Sequence, residues 1–119
     1  MIDYEFVRTY CLSRPYTQET YPFGPEPLVV KVGGKMFALI SPDSISLKCD
    51  PAIALNLREQ NPEAIKPGYH LNKKHWNTVM YGPKISEEEI QDLIDHSYDL
   101  VVRGLTKSQR EQMGLIAKK

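Results

Sequence analysis

Leu28-Val29-Val30-Lys31-Val32-Gly33-Gly34-Lys35-Met36-Phe37-Ala38-Leu39-Ile40-Ser41-Pro42-Asp43-Ser44-Ile45-Ser46-Leu47-Lys48-Cys49 is the stretch on which the fold turns. Gly33-Gly34 splits two β-type runs, Leu28 to Val32 and Lys35 to Ser41, and glycine reaches positive φ without steric cost, as a hairpin turn requires. Pro42-Asp43 makes a second tight turn into Ser44 to Cys49. In that run Ile45, Leu47 and Cys49 alternate with Ser46 and Lys48, and Leu28, Val30 and Val32 likewise alternate with Val29 and Lys31. The reading is an antiparallel three-strand meander with one apolar face and one face that carries Lys31 and Lys48.

Downstream, Asp50-Pro51 opens a helix, with aspartate as N-cap and proline at the first helical position. Ile53, Ala54 and Leu57 are its expected buried side, and Asn61-Pro62 ends it. Glu63 to Lys74 reads as a loop, and His75 to Tyr81 as a fourth strand stopped by Gly82-Pro83. Ser86-Glu87-Glu88-Glu89 has the form of a capping box. The helix it starts carries Ile90, Leu93, Ile94, Ser97, Tyr98, Val101 and Leu105 at helical spacing, and Gly104 weakens its end. A short last helix is expected within residues 106–116, capped by Thr106 or Ser108.

Upstream, Ile2 to Ser13 reads as the first helix, with Phe6, Val7, Tyr10 and Cys11 in one stripe and Arg14-Pro15 as its stop. Tyr16 to Pro27, rich in proline and glycine, reads as a stiff loop. The order α-β-β-β-α-β-α(-α) predicts an α+β fold, an antiparallel sheet with helices packed on one face.

The 119 residues are enough for one domain with one core. With 41% hydrophobic and 25% charged residues, the composition excludes wholesale disorder. No apolar run is long enough to cross a bilayer, and the start of the chain lacks the layout of a signal peptide, so the expected location is the cytoplasm, with no membrane partner. Cys11 and Cys49 fall at inward-facing positions and are expected as reduced core cysteines.

No glycine-rich phosphate loop precedes a helix, no Gly-x-Ser-x-Gly elbow is present, and no spacing pairs Cys11 or Cys49 with His70, His75 or His96. The expectation is a protein without catalytic residues and without a cofactor. His70 and His75 have a spacing found in zinc sites, yet the second ligand pair is missing, so no metal is expected. The acids of Glu87, Glu88, Glu89 and Asp92 have a structural cause, since carboxylates are favoured in a helix's first turn.

Charge is segregated along a chain whose formal net charge is zero. Residues 66–84 hold four lysines and no acid, whereas residues 85–100 hold six acids and no lysine or arginine. Zero net charge argues against tight non-specific binding to nucleic acid but leaves room for a local basic patch. Lys73, Lys74, His75 and Trp76, joined by Lys31, Lys35 and Lys48, would form a positive surface holding a flat ring. The competing reading makes Trp76 a core anchor and the lysines a solvated rim.

Five segments carry a family resemblance: Tyr21-Pro22-Phe23-Gly24-Pro25, residues 32–39 around Gly33-Gly34, Leu47-Lys48-Cys49-Asp50-Pro51, residues 67–79 from Pro67-Gly68-Tyr69-His70 to Trp76-Asn77-Thr78-Val79, and residues 93–101 around His96-Ser97-Tyr98. Together, in this order, they closely resemble the MmcQ/YjbR family of small bacterial proteins. The resemblance implies a CyaY-like (frataxin-like) α+β fold and, by analogy of fold, DNA binding through a "double wing". The wings would be the Gly33-Gly34 hairpin and the loop ending in Lys73-Lys74-His75-Trp76. Frataxins carry their iron-binding acids on the first helix; here the acids lie on the helix after the fourth strand, so that role is not carried over.

The expected function is therefore DNA binding by a monomer. Lys35, Lys73 and Lys74 would contact phosphates, Lys31 and Lys48 would support them, and His75 and Trp76 would touch sugar or base, with His70 counted in the same surface. The alternative is a protein- or small-molecule-binding module, with Tyr21, Phe23, Tyr69 and Trp76 around a pocket and His70 and His75 as polar contacts.

Overall fold

Residues 1–113 are described by a computed structural model, and the meander lies at the centre of its sheet. The elements are α1 (Tyr4–Leu12), β1 (Thr17–Thr20), β2 (Leu28–Val32), β3 (Lys35–Ile40), β4 (Ser44–Lys48), α2 (Pro51–Gln60), β5 (Ile65–Pro67), β6 (Trp76–Met80), α3 (Glu87–Arg103) and α4 (Lys107–Gln112). Six strands run in the order β1-β2-β3-β4-β6-β5, every neighbouring pair antiparallel. The α+β architecture is the one the sequence implies, with two strands added at the margins of the sheet.

Both added strands fall in segments that read as loops. β1 is Thr-Gln-Glu-Thr, without an apolar alternation, and it pairs along β2 from Thr17 opposite Val32 to Thr20 opposite Val29. Glu19 turns toward the helices and takes a two-pronged ion pair from Arg8 of α1 at 3.0–3.1 Å. β5 is three residues long and contains Pro67, which lacks the N–H a central strand needs and so suits a margin.

All helices whose packing is described lie on one face of the sheet. Leu28, Val30, Val32, Ala38, Ile40, Ile45, Leu47 and Val79 meet Val7 and Cys11 of α1 and Ile90, Ile94, Tyr98 and Val101 of α3 in the core. A bulge shifts the β2–β3 register between Val30 and Lys31, so Phe37 becomes an extra inward residue, its ring edge-on to Tyr98 at 5.4 Å. The caps follow sequence chemistry. Asp50 accepts from the N–H groups of Ala52 and Ile53, and Ser86 and Glu89 exchange the reciprocal bonds of a capping box.

Four expectations about the helices change. α1 begins after Asp3, which caps it through the Phe6 N–H. Ile53 of α2 is exposed rather than buried, because Ala54 and Leu57 alone face the sheet. α3 ends at Arg103 with Gly104 as its cap, so Leu105 is buried from the following turn. The last helix is capped by Thr106 and stops at Gln112; residues 114–116 of the expected helix lie outside the described residues. Cys11 and Cys49 are both buried and unpaired. No helix among the described residues is long and apolar enough to cross a membrane.

Candidate functional site

Strand alternation assigns a second set of side chains to the face away from the helices: Val29 and Lys31 of β2, Met36 and Leu39 of β3, Ser44, Ser46 and Lys48 of β4, Lys66 of β5, and Trp76, Thr78 and Met80 of β6. This open face has two halves. Near the Gly33-Gly34 turn it is basic; at the other end it is a cleft.

At the basic end the pairings Val32 with Lys35 and Lys48 with Trp76 bring Lys31, Lys35, Lys48 and the segment around Lys73, Lys74 and His75 to the same end of the sheet. Lys35, Lys73 and Lys74 are exposed, while Lys31 and Lys48 are half-buried. Ion pairs among the described residues involve Arg8, Arg14, Lys84 and the N-terminus, and none involves these five lysines. Lys73 donates from Nζ to the Gly68 carbonyl at 2.9 Å, which ties it to its own loop and leaves its charge unneutralised. The half-buried His75 is held through its backbone: its carbonyl accepts from the Cys49 N–H at 2.8 Å.

Trp76 does not present its ring. It is 9% exposed, which removes the stacking reading, yet it is covered on the open face and not within the core cluster beneath the helices, so it is not the core anchor either. The loop over residues 68–75 leaves and rejoins the sheet beside it. Gly68 N–H donates to the Trp76 carbonyl at 2.9 Å, and a Cβ on Gly68 would lie 2.7 Å from the Trp76 Cβ. The Gly33-Gly34 turn is also less free than a wing. A Cβ on Gly33, whose φ is +60°, would lie 2.6 Å from a Leu105 methyl.

The other half of the open face is a cleft of about 640 Å³. Its floor is Leu39, Ser46, Thr78 and Met80, and the segments around Phe23 and Tyr69 overhang it. Ser46 Oγ and Thr78 Oγ1 lie 2.8 Å apart, and Tyr69 N–H donates to Thr78 Oγ1 at 3.0 Å, which pins the overhanging loop to the sheet. Phe23 is 61% and Tyr69 71% exposed at the rim. The Tyr69 and His70 rings sit 4.0 Å apart, and His70 takes a left-handed φ of +58° to bring them together. Lys66, Asp43 and Ser44 supply the remaining polar groups.

His70 thus belongs to the cleft and not to the basic end. The pocket expected around Tyr69, His70 and Trp76 includes the first two and excludes Trp76; Phe23 lines it, Tyr21 and His75 do not. Sequence reading missed the floor itself. Leu39, Ser46, Thr78 and Met80 sit at positions that alternate with the core and so read as solvent-facing. The available signal was the presence of Val29 and Leu39, apolar residues, on that nominally wet side.

Cys49 and His96 line a common cavity of about 10 Å³, too small for a substrate. Burial pushes the Cys49 thiol up to about 11, and His96 Nε2 accepts from the Asp50 N–H at 3.2 Å. Among the described residues no three His, Cys, Asp or Glu side chains converge as metal ligands.

Comparison with known proteins agrees with this architecture. The YjbR family model matches residues 12–100. The chain is 44% identical over 114 residues to the Escherichia coli O157:H7 protein YbdF, covering 92% of this chain and 93% of that one. It is 30% identical over 106 residues to YjbR of Escherichia coli strain K12, covering 86% and 89%. The crystal structure of Deinococcus radiodurans protein DR2400, a DUF419 domain, superposes with a TM-score of 0.81 at 41% identity over 91% of this chain and 85% of that one. Matches in sequence and in fold, each spanning most of both chains, lead to one statement: the chain belongs to the YjbR family.

Proposed function

We propose that the protein binds nucleic acid, without catalysing a reaction, through the open face of its sheet, and that it prefers single strands to duplex. The observation that carries this reading is the set of lysines at the basic end: Lys31 and Lys48 on the open face, Lys73 and Lys74 on the adjoining loop, and Lys35 at the turn on the other side of its strand, with no carboxylate in ion-pair contact among the described residues. Glu87, Glu88 and Glu89 open α3 on the opposite layer. A polyanion is therefore attracted to one side of a molecule whose formal net charge is zero.

The preference for single strands comes from the rings. With Trp76 covered, the exposed aromatic surfaces on this face are Phe23 and the Tyr69–His70 pair, at its cleft end. Their faces are useful only to bases that have left a stack. Lysines bind the backbone, and the rings hold the bases.

Fluorescence anisotropy with a labelled single strand and the corresponding duplex, each at two salt concentrations, tests the proposal. The single strand should bind more tightly. Replacing Lys31 and Lys48 with alanine should reduce the slope of log affinity against log salt by about 0.7 for each lost phosphate contact. An unchanged slope in the double variant overturns the assignment of the basic end.

A further inference from the structure

The floor of the cleft holds one more hydroxyl proton than its own side chains use. Ser46 and Thr78 bring two O–H groups to a 2.8 Å contact, which consumes one proton. If Ser46 donates, both lone pairs of Thr78 are filled, one by Ser46 and one by the Tyr69 N–H, and the Thr78 proton is left over. If Thr78 donates, the Ser46 proton is left over. Among the described residues no further acceptor is bonded to either hydroxyl. Each residue is only 8% exposed and lines the cleft, so a partner for the spare donor has to come by way of the cleft.

Around that donor the cleft has walls suited to a flat ring. Leu39 and Met80 supply apolar surface, and Tyr69 supplies an exposed ring face at the rim. Lys66 and Asp43 also line it, one cation and one carboxylate. A ligand that is anionic throughout meets Asp43, whereas a neutral ring tethered to an anion places its charge by Lys66 and its ring inside.

We infer that the cleft is a seat for one unstacked nucleobase, with a ring carbonyl or ring nitrogen accepting from the Ser46–Thr78 pair and the base lying against Tyr69. This rests on the nucleic-acid reading above and adds to it: the basic end grips phosphate, and the cleft selects a strand that has a base to offer. The volume of about 640 Å³ exceeds what a single base needs, leaving room for its sugar.

The proton count makes the test specific. Ser46→Ala leaves Thr78 with a free proton, and Thr78→Val leaves Ser46 with one; only the double variant removes the donor. Anisotropy is measured with a labelled oligothymidylate and with an abasic strand of equal length and phosphate count. Wild type should bind the thymidylate about ten-fold more tightly, the scale of one well-stacked base. Ser46→Ala, which leaves the Tyr69 N–H to Thr78 contact in place, should keep most of that ratio; Thr78→Val also frees the Tyr69 loop and should fall between it and the double variant. The double variant should lose most of it at unchanged abasic affinity. Tyr69→Ala, at an exposed side chain whose N–H contact survives, should lower the ratio as well, which covers the case in which the double variant folds poorly.

Equal affinity of wild type for both strands overturns the seat and leaves the phosphate-gripping surface standing. A full ratio retained in a folded double variant overturns it too. Failure of either strand to bind sinks the nucleic-acid reading. The seat is then judged alone by titrating thymidine monophosphate against the amide resonances of Tyr69, His70 and Thr78: shifts there support it, and their absence overturns it.

Discussion

Ser97 Oγ donates to the Phe37 carbonyl at 2.6 Å and thereby fastens α3 to the bulged residue of β3. The same oxygen accepts from the Lys48 N–H of β4 at 2.9 Å. The β3–β4 register ends at Ala38 opposite Leu47, so the helix hydroxyl joins the two strands just beyond their last ladder pair. Ser97→Ala should leave both backbone groups without this partner in a dry site and cost about 2 kcal/mol. Chemical denaturation at constant m-value measures it; a loss below a few tenths would mean that the ladder closes without the hydroxyl.

Gly68 lies against Trp76 with no room for a methyl group: a Cβ would meet the Trp76 Cβ at 2.7 Å and its carbonyl oxygen at 3.0 Å. Gly68→Ala should destabilise by about 1–3 kcal/mol, as overpacking does. It should also raise the emission intensity change of Trp76 on adding a soluble quencher, because the loop must lift. A variant as stable and as unquenched as wild type contradicts the close approach.

Burial pushes the thiol of Cys11 up to about 12 and that of Cys49 up to about 11. Neither is thiolate to any useful degree at neutral pH, so iodoacetamide at pH 8 should label both far more slowly than in the urea-unfolded chain. Mass spectrometry over time reads the rates. Rapid native-state labelling of Cys49 would point to activation by His96.

The Tyr21 hydroxyl bonded to Glu19 at 2.6 Å, assisted by Arg8, holds the Glu19 carboxyl below its ordinary value of 4.5. Its folded value is lower than its unfolded one, so the stabilisation is fully present above about pH 4.5 and fades as pH falls through the folded value. Glu19→Gln should lose stability at pH 7 and show a flatter stability profile between pH 5 and 3 than wild type. Parallel profiles would remove Glu19 from the acid response of the fold.

Legibility in the sequence followed local chemistry. Asp50-Pro51 and Ser86 with Glu89 announce their helices because a cap is satisfied by residues two or three positions away. The meander is readable because its turns carry Gly33-Gly34 and Pro42-Asp43. Thr17–Thr20 is not, since its strand character comes from β2 and from the Arg8–Glu19 pair, both distant in the chain. Trp76 was ambiguous for a related reason: whether its side chain is covered depends on tertiary neighbours such as Gly68, which lies against its Cβ. The cleft was least legible. Ser46 and Thr78 are 32 positions apart and mean nothing together until β4 and β6 are neighbours.

The two strands at the margins have a consequence for how the molecule behaves in a crowd. β1 is four polar residues and β5 three with a terminal proline, so neither flank offers a long, apolar template of free backbone groups. A passing chain finds nothing to zip onto, and fibrous growth from the sheet is blunted at both sides.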